Sequence, residues 1–325
     1  MTGRILGYSA VKSAVHDMHI DALAQYAGEQ RIEVLRASGI RNVLGVLSRM
    51  NRGEALYVQA TGIFNLVVLP LARLRGLRVV YYLHEPTSLI WKIKKSKPHN
   101  VLRRIGWHLV QFFDCRFASH ILVSRSALAT KARECFFVPS KRLVIAPLLM
   151  PSEVDSDGLN RKRITYLGRV DEKRYFREFL SYSNVFRGLG FEPTVLTGTP
   201  SRLSSYNIPT ECEVIAERHF PEELKKQVIG ETAVLWNPKR AEIAQSGVTA
   251  DSVRFGVPIL LTDYDPSYEL LVGEGIAIDF DESESLGFRN LLGIDQSDVV
   301  TKSSQLFSRE HGAEAFRSHY QPVFN

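Results

Sequence analysis

The sequence predicts an α/β protein of two Rossmann-like domains, each a parallel sheet wound with crossover helices. Three observations carry this. Short β-branched runs alternate with helical patterns along the chain, the signature of strand–helix–strand units. The alternation breaks once, from Pro147 to Arg161, where MPSEVDSDGLN combines proline, serine and acidic residues without periodicity and reads as a linker. The chain has 325 residues, too many for one ordinary domain and enough for two of about 150. The expected domains are residues 1–155 and 156–325, with the last helix able to pack back on the first. Two such halves imply a cleft at the carboxyl ends of the strands, where open α/β sheets hold ligands.

Taken in order, the first half reads as strands at Arg4–Ser9, Ala55–Gln59, Leu77–Leu83, His120–Ser124 and Arg142–Ala146. Helical patterns lie between them at Ala14–Ala27, Phe64–Arg75, Val101–Phe113 and Ser126–Phe136. The second half reads as strands at Arg163–Leu167, Pro193–Thr197, Glu213–Ala216, Ala233–Asn237, Pro258–Thr262 and Gly275–Asp279, closed by a helix at Arg309–Tyr320. Neither GxxxxGK[ST] nor GxGxxG occurs.

Composition narrows the class. Hydrophobic residues make up 45% and charged residues 23%, which fits a soluble globular chain and excludes a disordered one. Cys115, Cys135 and Cys212 are scattered, with neither a CxxC pair nor a His cluster at zinc spacing, so a disulfide framework and a metal site are not expected. The opening MTGRILGYSA lacks the apolar core of a signal peptide. The longest apolar stretch, Phe64 to Leu83, is broken by Pro70, Arg73, Arg75 and Arg78, which argues against a membrane span. These features point to the cytoplasm. A net charge of +6 favours anionic partners.

Two segments look chemical. GRVDEKRY, Gly168 to Tyr175, leaves an apolar strand and enters a helical pattern. Gly168 lets backbone approach a ligand, and Arg169 and Arg174 can reach one site from the two sides of the turn. Two guanidinium groups near a helix start suit a diphosphate. The same segment also reads as a solvated, charge-rich turn. The second segment is NPKRAEIAQSGVTADSVRFGVPILLT, Asn237 to Thr262. Ser246, Gly247, Val248 and Thr249 offer free N–H groups at a helix start, a second anion site. Glu242 and Asp251 flank the loop, where carboxylates can accept hydrogen bonds from sugar or ribose hydroxyls. Asp251 also reads simply as an acid placed at the positive end of a helix dipole.

These segments resemble the retaining group 1 (family 4) glycosyltransferases, which adopt the GT-B fold. The likeness spans roughly Leu77 to Asp279. Residues 166–174 resemble the family's GR-x4-(K/R) strand-loop motif, whose basic pair grips the donor diphosphate; Lys173 stands beside that pair. Residues 242–263 resemble its EGFGxxxxEAxAxGxPVIxTD stretch, residues 120–147 its "iitvS…vIpN" stretch, and His219–Pro238 its "eel…advlv.PS" segment. His84, after the strand LRVVYYL, resembles a family histidine at the cleft. Three features depart from the pattern. The family's two glutamates stand eight positions apart, whereas Glu242 and Asp251 stand nine apart and the second is aspartate. Gln245-Ser246-Gly247 replaces GFG. The glycine-rich loop near the N-terminus is replaced by SAVKS, Ser9–Ser13.

The resemblance implies transfer of a hexose-type sugar, with retention and without a metal or other cofactor, from a nucleotide-diphosphate donor to a glycan or lipid-linked glycan, as in polysaccharide biosynthesis. It assigns Arg169, Arg174, Glu242 and His84 to chemistry. Gly168, Lys173, Ser246, Gly247, Val248, Thr249 and Asp251 go to the donor. A non-catalytic binding protein of this fold and a sugar-nucleotide epimerase of the same architecture remain as other readings, and His84 also reads as structural. Finally, WKIKKSKPHNVLRRIGWHLVQFF, residues 91–113, interleaves basic and aromatic residues. It fits a core helix behind a solvated basic loop, or peripheral contact with an anionic membrane on its inner face. Nucleic acid is not the expected partner.

Overall fold

The computed structural model describes residues 4–9, 14–37, 39–84, 98–151, 161–218, 220–240, 246–280 and 293–325. The chain forms two compact units, residues 1–152 with 308–325, and residues 153–307.

The first unit runs β1 (Arg4–Tyr8), α1 (Ala14–Glu29), β2 (Glu33–Ala37), α2 (Ile40–Leu47), β3 (Ala55–Val58), α3 (Asn65–Leu74), β4 (Arg78–Tyr82), α4 (Pro98–Phe117), β5 (His120–Val123), α5 (Ser126–Phe136) and β6 (Leu143–Ile145). Its sheet order is β2-β1-β3-β4-β5-β6, and every described pairing is parallel. The central strands are apolar and buried because helices cover both faces of a parallel sheet. The sequence reading missed β2 and α2. β2 is an edge strand whose Glu33 and Arg36 face solvent, so it lacks the unbroken apolar run of its neighbours.

The second unit runs β7 (Arg163–Leu167), α6 (Phe176–Ser181), α7 (Ser183–Gly188), β8 (Glu192–Thr197), β9 (Glu213–Ala216), α8 (Glu222–Gly230), β10 (Thr232–Trp236), α9 (Gly247–Phe255), β11 (Ile259–Leu261), α10 (Tyr268–Gly273), β12 (Ala277–Asp279) and α11 (Gln296–Glu310). Its sheet order is β12-β11-β10-β7-β8-β9, again all parallel among the described pairs. Trp236 anchors its core, in edge contact with Phe179, Phe186 and Phe280.

The single closing helix expected at Arg309–Tyr320 is instead interrupted. α11 ends at Glu310, Gly312 leaves helical geometry, and short helical turns resume from Ala313 to Phe324. That last segment buries Phe316, Tyr320, Val323 and Phe324 in the core of the first unit, beside Tyr57, Tyr82 and Leu122. There it meets the extended residues 146–150. Their five successive carbonyls each accept a side-chain donor: Tyr82 hydroxyl to Ala146 (3.2 Å), Tyr320 hydroxyl to Pro147, His311 Nδ1 to Leu148, His19 Nδ1 to Leu149 and Tyr26 hydroxyl to Met150 (2.8 Å each).

Between α3 and α4 a carboxyl is buried. Asn65 Nδ2 donates to Asp114 Oδ2 at 2.9 Å, and burial raises the Asp114 carboxyl to about 7. The folded state therefore binds more protons than the unfolded one between about pH 4 and 7, so this group's contribution to stability falls as pH rises through that window. His311 has the opposite sign. Burial lowers it to about 4, so its contribution is lost as pH falls from about 6.5. Asp114→Asn keeps an acceptor for Asn65 and removes the titration. It should stabilise the protein at pH 8, by roughly 4 kcal/mol at most, and change it little at pH 4. Urea titrations at both pH values check this; an equal effect at the two would show that the carboxyl is not protonated by burial.

Candidate functional site

In the sheet of the second unit, β7 is flanked by β10 and β8, and the strand order reverses there. Such a switch point leaves a crevice at the carboxyl ends of the two strands, because the loops that follow them turn to opposite faces. The two loops are the two segments singled out in the sequence.

β7 exits through Gly168 at φ +110°, a conformation that L side chains rarely adopt. The turn behind it is pinned from several sides. Tyr166 hydroxyl donates to Arg169 O at 2.7 Å, Val170 N donates to Thr199 Oγ1 at 3.1 Å, and Lys173 N donates to Asp171 Oδ1 at 3.0 Å. The far end is held by the other loop: Arg240 N donates to Lys173 O at 2.9 Å, and Trp236 Nε1 to Arg174 O at 3.3 Å. Tyr175 adopts a left-handed conformation at φ 53°, with the Arg240 guanidinium 4.4 Å over its ring.

This backbone places Arg174 against Gly168. A Cβ built on Gly168 would lie 3.1 Å from Arg174 Nη1 and 3.8 Å from Val248 Cγ2. Gly168, Arg174 and the first turn of α9 therefore share one small space. Arg169 points outward, 56% exposed, with Asp171 3.9 Å away.

α9 starts at Ser246, which is extended and makes no side-chain cap. The N–H groups of Gly247, Val248 and Thr249 lie in the first turn, where helical carbonyls are absent as partners. Asn237 Nδ2, at the end of β10, reaches Ser246 Oγ at 3.4 Å and Thr249 Oγ1 at 3.5 Å, so it positions this turn. Glu242 lies outside the described residues, as does Gln245.

Asp251 has a partner that the sequence did not disclose. The residue is 6% exposed, and Lys225 Nζ on α8 donates to its Oδ1 at 2.9 Å. Lys225 also lies 3.2 Å from Glu222, which pairs with the buried Arg254. Burial raises the Asp251 carboxyl against the opposing pull of Lys225. The ribose contact expected of Asp251 would thus fall to a carboxylate already held by a lysine. Lys239, also missed, is fully buried 3.7 Å from Asp265, and its carbonyl accepts from Thr262 Oγ1 at 2.7 Å. Its position just past the end of an apolar strand was the available signal.

His84 belongs to the first unit. The buried Tyr57 hydroxyl donates to Gln59 Oε1, which leaves Gln59 Nε2 to donate to His84 Nε2 at 3.0 Å. This arrangement suits a neutral ring protonated on Nδ1. His19 and Tyr82 lie alongside, at ring distances of 6.3 and 4.9 Å. Gln59 and His19 were not among the expected residues. A polar residue closing the strand ALYV marked Gln59; His19, inside a helical pattern, carried no mark. Among the described residues no group of three His, Cys, Asp or Glu side chains is placed to hold a metal ion.

No family model matches the chain, and no curated protein matches it in sequence. Solved structures do match. The structure of Anabaena Alr3699/HepE in complex with UDP-glucose is 13% identical, covers 99% of this chain and 98% of its own, and gives a TM-score of 0.60. An alpha-glucosyltransferase in complex with UDP-glucose and DNA containing an abasic site is 10% identical, covers 100% of both chains and gives 0.66. A glycosyltransferase from Rickettsia africae is 7% identical, covers 97% of this chain and 95% of its own, and gives 0.59. The fold, two units each with a six-stranded parallel sheet, is the expected GT-B fold.

Lys225→Met should strand a buried carboxylate and cost about 3–5 kcal/mol, whereas Lys225→Met with Asp251→Asn should recover part of that loss. Urea unfolding of the three proteins measures it. A Lys225→Met protein as stable as wild type would show that the pair does not tie α8 to α9.

Proposed function

We propose that the chain is a glycosyltransferase that moves a hexose-type sugar from a nucleotide-diphosphate donor to a glycan or lipid-linked glycan, retaining the anomeric configuration and needing no metal. One observation carries the reading: Arg174 and the uncapped first turn of α9 both border Gly168, at the switch point of a parallel sheet. That arrangement suits a diphosphate, since a fixed guanidinium and free helix N–H groups both favour anions. Solved structures of the same fold hold UDP-glucose, which supports the donor class.

The mechanism follows from where charge develops. The bond between the anomeric carbon and the diphosphate oxygen breaks, and its electron pair goes to that oxygen. An acceptor hydroxyl forms the new bond on the same face, and its proton passes to the departing phosphate. Arg174, with Arg169 and Lys173 on the same turn, and the N–H groups of Gly247, Val248 and Thr249 stabilise the leaving group by preorganised hydrogen bonds. Ser246 closes that turn from the other side. Glu242 orients the donor sugar, and His84 serves the acceptor side. Asp251 acts through Lys225 by holding the turn that binds the diphosphate. The work takes place in the cytoplasm, in polysaccharide assembly.

A panel of nucleotide-diphosphate sugars in thermal-shift measurements tests the donor class. A true donor at one hundred times its Kd stabilises by about 2.7 kcal/mol. Absence of a shift with every member would end the reading. Arg174→Ala and Arg169→Ala should each lower kcat/KM by roughly 10- to 100-fold without unfolding the protein, as expected for one charge-assisted contact. Unchanged kinetics would remove that residue from the donor site. Turnover should also persist in excess EDTA, because the charge on the leaving group is met by fixed cations; loss on chelation, restored by Mg or Mn, would assign that task to an ion.

A further inference from the structure

α3 is apolar on all sides, a pattern that ordinarily means burial. Here one stripe, Asn65, Val68, Leu69 and Ala72, is buried, while the opposite side faces solvent. Ile63, Phe64, Leu66, Val67, Leu71 and Leu74 are all exposed there, Leu74 by 83%. Val67, Leu71 and Leu74 follow an i, i+4, i+7 spacing, which sets them in one line. The neighbouring α4 repeats the design: Leu102, Leu109 and Phe113 form an exposed stripe, with Ile105 and Trp107 beside it. The two helices pack together, and Asn65 and Asp114 join them on the inner side. Most exposed large apolar side chains among the described residues lie on this pair; the others are scattered singly. A contiguous apolar face of this kind marks an interaction site.

Charge selects the occupant. Arg73, Arg75, Arg103 and Arg116 are exposed on or beside these helices. The only acid on α3 or α4 is Asp114, which is buried. From Ala55 to Phe113 the sequence holds one acid, Glu85. A second copy of the chain would set arginine against arginine across a two-fold axis, a like-charge contact that costs affinity. Duplex nucleic acid would satisfy the arginines and leave the leucines wet. An interface of acidic head groups over acyl chains meets both demands at once, with the helices lying in its plane. None of the described helices is long and apolar enough to cross a membrane. We propose that the α3–α4 face docks the first unit reversibly on an anionic lipid bilayer without spanning it. The proposal supplies a membrane setting for the transferase reading, yet its test needs no turnover.

The test is co-sedimentation of the full chain with phosphatidylcholine vesicles, with and without phosphatidylglycerol, at low and high salt. Wild type should bind the anionic vesicles at least tenfold more strongly than the neutral ones, and high salt should weaken that binding. Val67→Glu with Leu74→Glu changes two exposed side chains, so the fold should survive, as circular dichroism would verify. This variant should lose at least tenfold in vesicle binding while keeping the donor-induced thermal shift of wild type. Arg103→Gln with Arg116→Gln should bind more weakly and lose much of the salt dependence. Three results would overturn the proposal: no binding by wild type, equal binding to neutral and anionic vesicles, or full binding by the Glu variant. A wild-type dimer in lipid-free sedimentation velocity that Val67→Glu with Leu74→Glu dissociates would also overturn it, in favour of a second copy.

Discussion

Five consecutive carbonyls, from Ala146 to Met150, set a constraint on the first unit. The segment follows the last strand, β6, is largely buried, and has no neighbouring strand beyond β6 to satisfy it. Buried carbonyls without donors would cost about 1–3 kcal/mol each. Tyr82 from β4, His19 and Tyr26 from α1, and Tyr320 and His311 from the C-terminal segment meet that demand. The arrangement explains why the C-terminal residues belong to a unit built mostly from the first half of the chain. The break in the closing helix falls at this contact: His311 Nδ1 donates to Leu148 O, and His311 O accepts from Met150 N. Burial lowers the His311 pKa to about 4 against the opposing effect of its hydrogen bond to Leu148, so the ring donates from this depth as a neutral imidazole.

The second unit solves a different problem, satisfying the backbone of a basic turn at the end of a buried strand. At the switch point, Tyr166, Thr199 and Trp236 take up the backbone polar groups of the Gly168–Arg174 turn, and the β10 loop closes on it through Arg240 N. The backbone of Arg174 is thereby held at the turn, with its guanidinium beside Gly168. Asn237 does the same for the start of α9, and the Lys225–Asp251 pair ties that helix to α8 from within the protein. Cations and N–H groups prearranged in this way need little reorganisation when an anion arrives.

The same economy joins the two sides of α3 and α4. Inside, Asn65 and Asp114 join the helices by a hydrogen bond to a carboxyl whose pKa burial raises to about 7. Outside, the helices present apolar stripes bordered by arginine.

Much of this was legible in the sequence. β-branched runs located eleven of the twelve strands within a residue or two, because strands buried on both faces must be continuously apolar. The one missed, β2, is an edge strand with a wet face, so it lacks the unbroken apolar run that marks its neighbours. The GRVDEKR segment was legible as a strand-to-helix turn, since a glycine just past an apolar strand serves the φ of +110° found at Gly168. What remained hidden were polar partners: Lys225 for Asp251, Gln59 for His84, Asn65 for Asp114, and Leu148 for His311, each more than twenty residues away in the chain. Periodicity tells which face of an element is apolar, since that is a property of the element alone. Which polar group meets another depends on how elements pack, and only the tertiary structure decides it.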